Sequence, residues 1–118
     1  MQHLKQTDAE HHEYYDGTVT VDEFNFEGNA TINTANIVLT GRYPAKNYTV
    51  NTSSTALVSV ESGEGAITTK GEGTKTLNPG DTLLIEPGEP YFFSVIGSLA
   101  IRYIATPAWT VDQAQSVE

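Results

Sequence analysis

Seven short runs, each rich in Val, Ile, Thr, Tyr and Phe and each bounded by Gly, Pro or Asn, dictate that this chain is built of strands. They are "TVTVDEFNF" (18 to 26), "ATINTANIVLT" (30 to 40), "TALVSVE" (55 to 61), "AITTK" (66 to 70), "TLLIE" (82 to 86), "YFFSVI" (91 to 96) and "LAIRYIA" (99 to 105). β-branched and aromatic side chains suit a pleated, half-buried surface, and turn residues at this spacing mark a sandwich or barrel. No stretch repeats apolar residues at helical spacing. The fold class is therefore all-β. Alternation puts Val19 and Val21 on one face, whereas "TLLIE" is continuously apolar and predicts cover on both faces, as two packed sheets would give.

The turns carry their own chemistry. In "NPGD" (78 to 81), Pro79 fixes φ and Gly80 accepts a positive φ, a type II signature that predicts a hairpin reversal. The glycines of "GEGAITTKGEG" (63 to 73) fit neither G-x-G-x-x-G nor a P-loop, and no helix follows them. They read as turn glycines and not as a phosphate cradle.

A chain of 118 residues suits one domain with one core. It divides into a polar N-terminal arm (1 to 17), a barrel domain (18 to 106) and a C-terminal tail (107 to 118). The arm carries all three histidines, His3, His11 and His12, and reads as solvated; Trp109 in the tail reads as a cap or an interface residue. No cysteine is present, which removes disulfides, thiolate metal sites and a cysteine nucleophile. Six basic against fifteen acidic residues give a net charge of −9, which repels phosphate backbones and anionic membranes, so nucleic acid and membrane are excluded as partners. No apolar leader or spanning segment is visible, and the expected location is the cytoplasm.

The stretch "GEGAITTKGEGTKTLNPGDTLLIEPGEPYFF" resembles the cupin superfamily, whose members are small jelly-roll barrels (double-stranded β-helices). The resemblance covers about Gly41 to Ala105, and with "GRYPAKNYTVN" and "TPAW" the whole chain is similar to small single-domain cupins. The second cupin motif, G-x5-P-x-G-x2-H-x3-N, reads here with Gly80 and Gly88 in place but Tyr91 where the histidine stands and Val95 where the asparagine stands. In cupins the first motif supplies two histidines and a glutamate, and all four ligands together hold a divalent metal. Counted forward from Gly41, those histidines fall on Asn47 and Thr49; counted back from Gly63, the glutamate falls on Ala56 and the histidines on Val50 and Thr52, or on Thr49 and Asn51. None is an imidazole or a carboxylate, the donors first-row metals prefer. The expectation is a cupin barrel with no metal site and no cofactor.

If Tyr91 faces inward like the histidine it replaces, Phe93 and Val95 share its face, and Ala56, Val58 and Val60 line the preceding strand. The candidate ligand-binding residues are Tyr91, Asn51, Tyr48, Thr49 and Phe93: an apolar pocket with sparse hydrogen-bonding groups at one mouth. Arg42 reads as a surface salt bridge, and Glu61, Glu64, Glu86 and Glu89 as solvent-facing turn residues. Three functions stay open. One is a metal-independent module binding a small organic ligand, such as a sugar or polar metabolite. The second is a metal-free enzyme of the isomerase or epimerase type using Tyr91, with Lys46 and Arg42 the bases nearest in sequence. The third is a structural or partner-binding protein whose barrel is packed solid. Exposed sheet edges further predict a homodimer.

Overall fold

The computed structural model describes all 118 residues. The runs of β-formers pair antiparallel throughout, as β1 (Glu10–Tyr14), β2 (Val19–Phe24), β3 (Asn33–Leu39), β4 (Tyr48–Asn51), β5 (Thr55–Thr69), β6 (Gly73–Leu77), β7 (Thr82–Ile85), β8 (Tyr91–Thr106) and β9 (Ala114–Val117). The only helical pieces are single 3-10 turns at Gln6–Asp8 and Val111–Gln113. No helix is long and apolar enough to cross a membrane. The sheet runs β1-β2-β3-β8-β4-β9, and β5 pairs with β6, β7 and β8, so that β5 and β8 form the spine of a curled antiparallel sheet. Strand pairing thus extends past the 18–106 span at both ends: "EHHEY" zips onto β2 and "AQSV" onto β4.

The seven runs of the sequence merge into fewer, longer strands. Runs 55–61 and 66–70 are one strand, β5, and runs 91–96 and 99–105 are one strand, β8. What read as turn glycines at 63 and 65 lie inside β5, where it bulges against β8 between Val60 and Glu64. The two backbones approach so closely there that a Cβ on Gly63, which has φ +93°, would sit 2.0 Å from the Ser98 carbonyl oxygen, and one on Gly65 would sit 2.5 Å from that of Ser94. Any side chain would force the strands apart. The "NPGD" turn forms as the sequence indicates, with Gly80 at φ +93° and Asp81 N–H on the Asn78 carbonyl at 3.0 Å. It does not reverse the chain. Gly80 N–H donates to the Val60 carbonyl and Val60 N–H to the Asp81 carbonyl, which holds both β6 and β7 antiparallel to β5, one following the other along it.

Period-two alternation sorts the side chains. Ala56, Val58 and Val60 on β5 and Leu99, Ile101, Tyr103 and Ala105 on β8 point into one core that also takes in Val19 and Leu39, all of them buried. Each large aliphatic group so buried contributes about 1.5–3 kcal/mol. "TLLIE" departs from the expectation of two-sided cover. As β7 it pairs only with β5, and Leu84 is 57% exposed beside its cross-strand partner Leu57, 41% exposed.

Candidate functional site

The curl of the sheet encloses a cavity of about 200 Å³ on its inner face. Three rows of cross-strand neighbours build it. Glu23 pairs with Ala35 and Ala35 with Tyr103; Val21 pairs with Ile37 and Ile37 with Ile101; Val19 pairs with Leu39 and Leu39 with Leu99. The last two rows are wholly aliphatic, whereas the first has its smallest member, Ala35, between two polar ends. Tyr91 and Phe93 close one wall, their rings edge to face with centroids 5.7 Å apart. Tyr14, Tyr15, Val111 and Trp109 stand at the rim, the first three exposed and Trp109 half-buried.

Phenols dominate the polar lining: Tyr14, Tyr15, Tyr43, Tyr91 and Tyr103 all border the cavity. Burial is the first cause that holds the Tyr91 hydroxyl well above the ordinary tyrosine range, reinforced by the neighbouring phenols of Tyr103 and Tyr43. Burial likewise raises Tyr43, with Thr49 acting in the opposite direction, and raises Tyr103, opposed by its bond to Asn51 and by the nearby Tyr91. All three phenols are therefore neutral hydrogen-bond donors across the physiological range.

Behind them lies a layer of amides. Asn51, 2% exposed, donates through Nδ2 to the Tyr103 hydroxyl at 2.6 Å and accepts at Oδ1 from Trp109 Nε1 at 3.1 Å. The Trp109 backbone is in turn clasped by Asn33, whose Oδ1 accepts from Trp109 N at 2.8 Å and whose Nδ2 donates to Trp109 O at 3.1 Å. Asn33 Nδ2 also donates to Asn25 Oδ1 at 2.9 Å, and Asn25 Nδ2 donates to Glu23 Oε1 at 2.7 Å and to Glu10. A continuous polar belt thus runs from Glu23 round to Tyr103, with Trp109 as its middle link.

Of the residues singled out from the sequence, Tyr91 and Phe93 line the cavity directly. Asn51 and Thr49 are buried behind it, and Asn51 braces Tyr103. Tyr48 does not join them. Alternation turns it to the opposite face of β4, where its ring meets Phe92 at 5.4 Å and Lys70 at 5.6 Å. Arg42 forms no salt bridge: it donates to the carbonyls of Pro44 (2.7 Å) and Asn47 (2.9 Å) and lies 3.9 Å over the Phe92 ring, fixing the loop that presents Tyr43. His11, expected in a solvated arm, is exposed but anchored on β1, bonded to Asp22 at 2.7 Å and Glu13 at 3.1 Å, which raise its pKa.

Sequence reasoning passed over Glu23 and Tyr103, although the alternation that turned Tyr91 inward also sets Glu23 on the face of Val19 and Val21, and Tyr103 on that of Leu99 and Ile101. Tyr43 sits in a loop and carries no such periodic signal.

No protein-family model matches the sequence, and no curated protein matches it significantly by sequence. Solved structures do match in shape. Pac13 of Streptomyces, a nucleoside dehydratase, solved as a histidine-to-glutamine variant with uridine, superposes with a TM-score of 0.82 at 12% identity, over 100% of this chain and 92% of that one. The polyketide cyclase RemF of Streptomyces resistomycificus superposes with a TM-score of 0.76 at 15% identity, over 100% of this chain and 86% of that one. A cupin-like protein of Thermotoga maritima gives 0.67 at 18% identity, over 84% of this chain and 75% of that one. The chain has the cupin fold.

The residues that the cupin motifs set against the usual metal ligands include Tyr91, Asn51 and Ala56. Tyr91 is a neutral phenol, Asn51 is committed to Tyr103 and Trp109, and Ala56 offers no donor. No three His, Cys, Asp or Glu side chains lie together in a metal-holding group.

Proposed function

We propose that this protein is a metal-independent cupin that binds a small, neutral organic ligand inside its barrel. The observation that carries the reading is the cavity itself, about 200 Å³, aliphatic on two rows and edged by the neutral phenols of Tyr43, Tyr91 and Tyr103. Drug-sized pockets run to about 300–1,000 Å³, so the fitting ligand is one or two rings, held by apolar contact and oriented by hydroxyl donors. Its recognised groups are acceptors, carbonyl or hydroxyl oxygens, because a protonated phenol prefers an acceptor and the aliphatic rows would strand a charge. The same fold serves Pac13, also solved with uridine in two tyrosine-to-phenylalanine variants, and the polyketide cyclase RemF. These support a small-molecule role over a solid, purely structural barrel.

Thermal-shift and calorimetric titration with uridine, simple phenols and small cyclic ketones tests the proposal, with EDTA-treated protein run alongside. Saturable stabilisation by at least one class, unaffected by chelation, is the expected result. Silence across every class, together with crystallographic density showing side chains filling the cavity, would return the barrel to a packed structural role. We further propose that the protein works as a homodimer, the exposed Leu57 and Leu84 pair on the edge strand β7 and its neighbour meeting a second copy.

A further inference from the structure

We infer that the barrel is an acid–base catalyst of enolisation, with Glu23 as the base and the Tyr103 and Tyr91 hydroxyls as the donors that receive the developing oxyanion. The inference rests on the ligand-binding reading above and adds a reaction to it. Three observations converge.

Glu23 and Tyr103 are the polar ends of a single row across β2, β3 and β8, with Ala35 between them. Adjacent strands lie about 4.8 Å apart, so the two Cα atoms are roughly 10 Å apart. Both side chains border the same cavity, and the residue beneath the space between them is the smallest in the row. Room for a reacting carbon and its carbonyl is thus left between a carboxylate and a phenol.

The carboxylate is held but not used up. Asn25 Nδ2 fixes Glu23 Oε1 at 2.7 Å, and no hydrogen bond engages Oε2. Asn25 is itself held by Asn33, and Asn33 by the Trp109 backbone, so the base is mounted on the same belt that ends at Tyr103. Asn25 and Asn33 are positioning residues.

The opposing phenols are kept neutral by burial, which makes them donors to an oxyanion and unsuited to act as the base. In the step, a Glu23 oxygen takes the proton from the carbon next to a carbonyl. The C–H pair becomes the new C=C bond, the carbonyl π pair moves onto oxygen, and that oxygen accepts hydrogen bonds from Tyr103 and Tyr91. Return of the same proton from Glu23 to the original carbon, or to a conjugated carbon further along, closes the cycle with no co-reactant. The substrate class is a neutral enolisable ketone or enone of one or two rings.

The test uses two probes on the full-length protein. 5-Nitrobenzisoxazole reports the base: removal of its ring C–H by a carboxylate breaks the N–O bond and releases a coloured phenolate whose oxygen the tyrosines can meet. 4-Nitrophenol, held at a pH low enough to keep it protonated, reports binding alone. Wild-type protein is expected to eliminate the first probe with saturation kinetics, Glu23→Gln to lose roughly a hundredfold in kcat while still binding 4-nitrophenol, and Asn25→Ala to lower kcat more than it raises KM. Elimination unchanged in Glu23→Gln, or no faster than in equimolar acetate despite saturable 4-nitrophenol binding, would overturn the catalytic inference and leave the binding proposal standing. Failure of both folded proteins to bind 4-nitrophenol, uridine or cyclohexenone would overturn both.

Discussion

Asn51 places its amide between Tyr103 and Trp109, giving a hydrogen bond to one at 2.6 Å and taking one from the other at 3.1 Å. Both of its functional atoms are committed, and the residue is 2% exposed. It therefore joins the floor of the cavity to the C-terminal segment at its rim, and it does so at a position where the cupin resemblance, on one alignment, seeks a metal ligand. Asn51→Leu would leave the Tyr103 hydroxyl short of a partner and the Trp109 N–H with none. The expected loss is about 1–3 kcal/mol for each buried group left unsatisfied, read as a lower urea midpoint with an unchanged m-value. Trp109 fluorescence should shift to the red in the folded variant as the indole loosens from its pocket.

Ala35 controls the volume of the site. Its methyl lies between Glu23 and Tyr103 in the cross-strand row, and a larger side chain there projects into the cavity instead of into packed atoms. Ala35→Leu is expected to abolish ligand binding while costing less than the about 1–3 kcal/mol that the same enlargement costs in a filled core. Titration calorimetry and thermal melts on the same sample check the two halves. A large stability loss would mean that the space over Ala35 is too tight for a ligand.

The buried phenols make stability fall on the alkaline side. Tyr43, Tyr91 and Tyr103 are all raised by burial above the ordinary value of 10, so the folded state keeps protons that the unfolded chain releases. Their contribution is complete below pH 10 and is lost as pH climbs from 10 through the folded-state values. Melting temperature should be insensitive to these groups between pH 7 and 9 and drop beyond 10, with a shallower drop in Tyr43→Phe. Ultraviolet titration of phenolate absorbance should show Tyr43, Tyr91 and Tyr103 ionising late, together with unfolding.

The Leu57 and Leu84 pair presents exposed apolar surface on a chain of net charge −9. Two such acidic copies repel except where neutral surface meets, so association through this patch should tighten with salt. Sedimentation is expected to give a dimer of the 12.8 kDa chain, and Leu84→Glu to give a monomer with an unchanged circular dichroism spectrum. A monomeric wild type at micromolar concentration would remove the dimer.

Legibility of the fold in the sequence follows from where each strand draws its stability. β2, β3, β7 and the halves of β5 and β8 carry β-formers and announce themselves, and the alternation at Tyr91 and Phe93 correctly turns both rings inward. β1, β4 and β9 are short and largely polar, "EHHEY", "YTVN" and "AQSV", and exist because a neighbouring edge supplies the hydrogen bonds. Gly63 and Gly97 read as stops, yet each permits a positive φ within a continuous strand. The polar belt was out of reach for another reason: Asn33 and Trp109 are 76 residues apart, and Asn51 and Trp109 58. No local pattern records such a pairing.

Tyr91 decides between recognition and packing. It is 2% exposed, borders the cavity and stands beside Tyr103 and Asn51, both of which act on the ionisation of its hydroxyl. Tyr91→Phe keeps the ring against Phe93 and deletes only the hydroxyl. If that group orients the ligand, affinity should fall by about 0.5–1.5 kcal/mol for a neutral acceptor and the melting temperature of ligand-free protein should hardly move, because Tyr103 retains its bond to Asn51. A lower melting temperature with unchanged affinity would instead make Tyr91 a core residue. Tyr91→His supplies the imidazole that cupins place here but not the other three ligands, since Asn51 stays bound to Tyr103 and Trp109 and Ala56 has no donor. Elemental analysis of that variant, dialysed after exposure to Mn²⁺ or Zn²⁺, should find well under one equivalent of metal; one full equivalent bound in the barrel would show that the site needs only this single residue to become a metal centre.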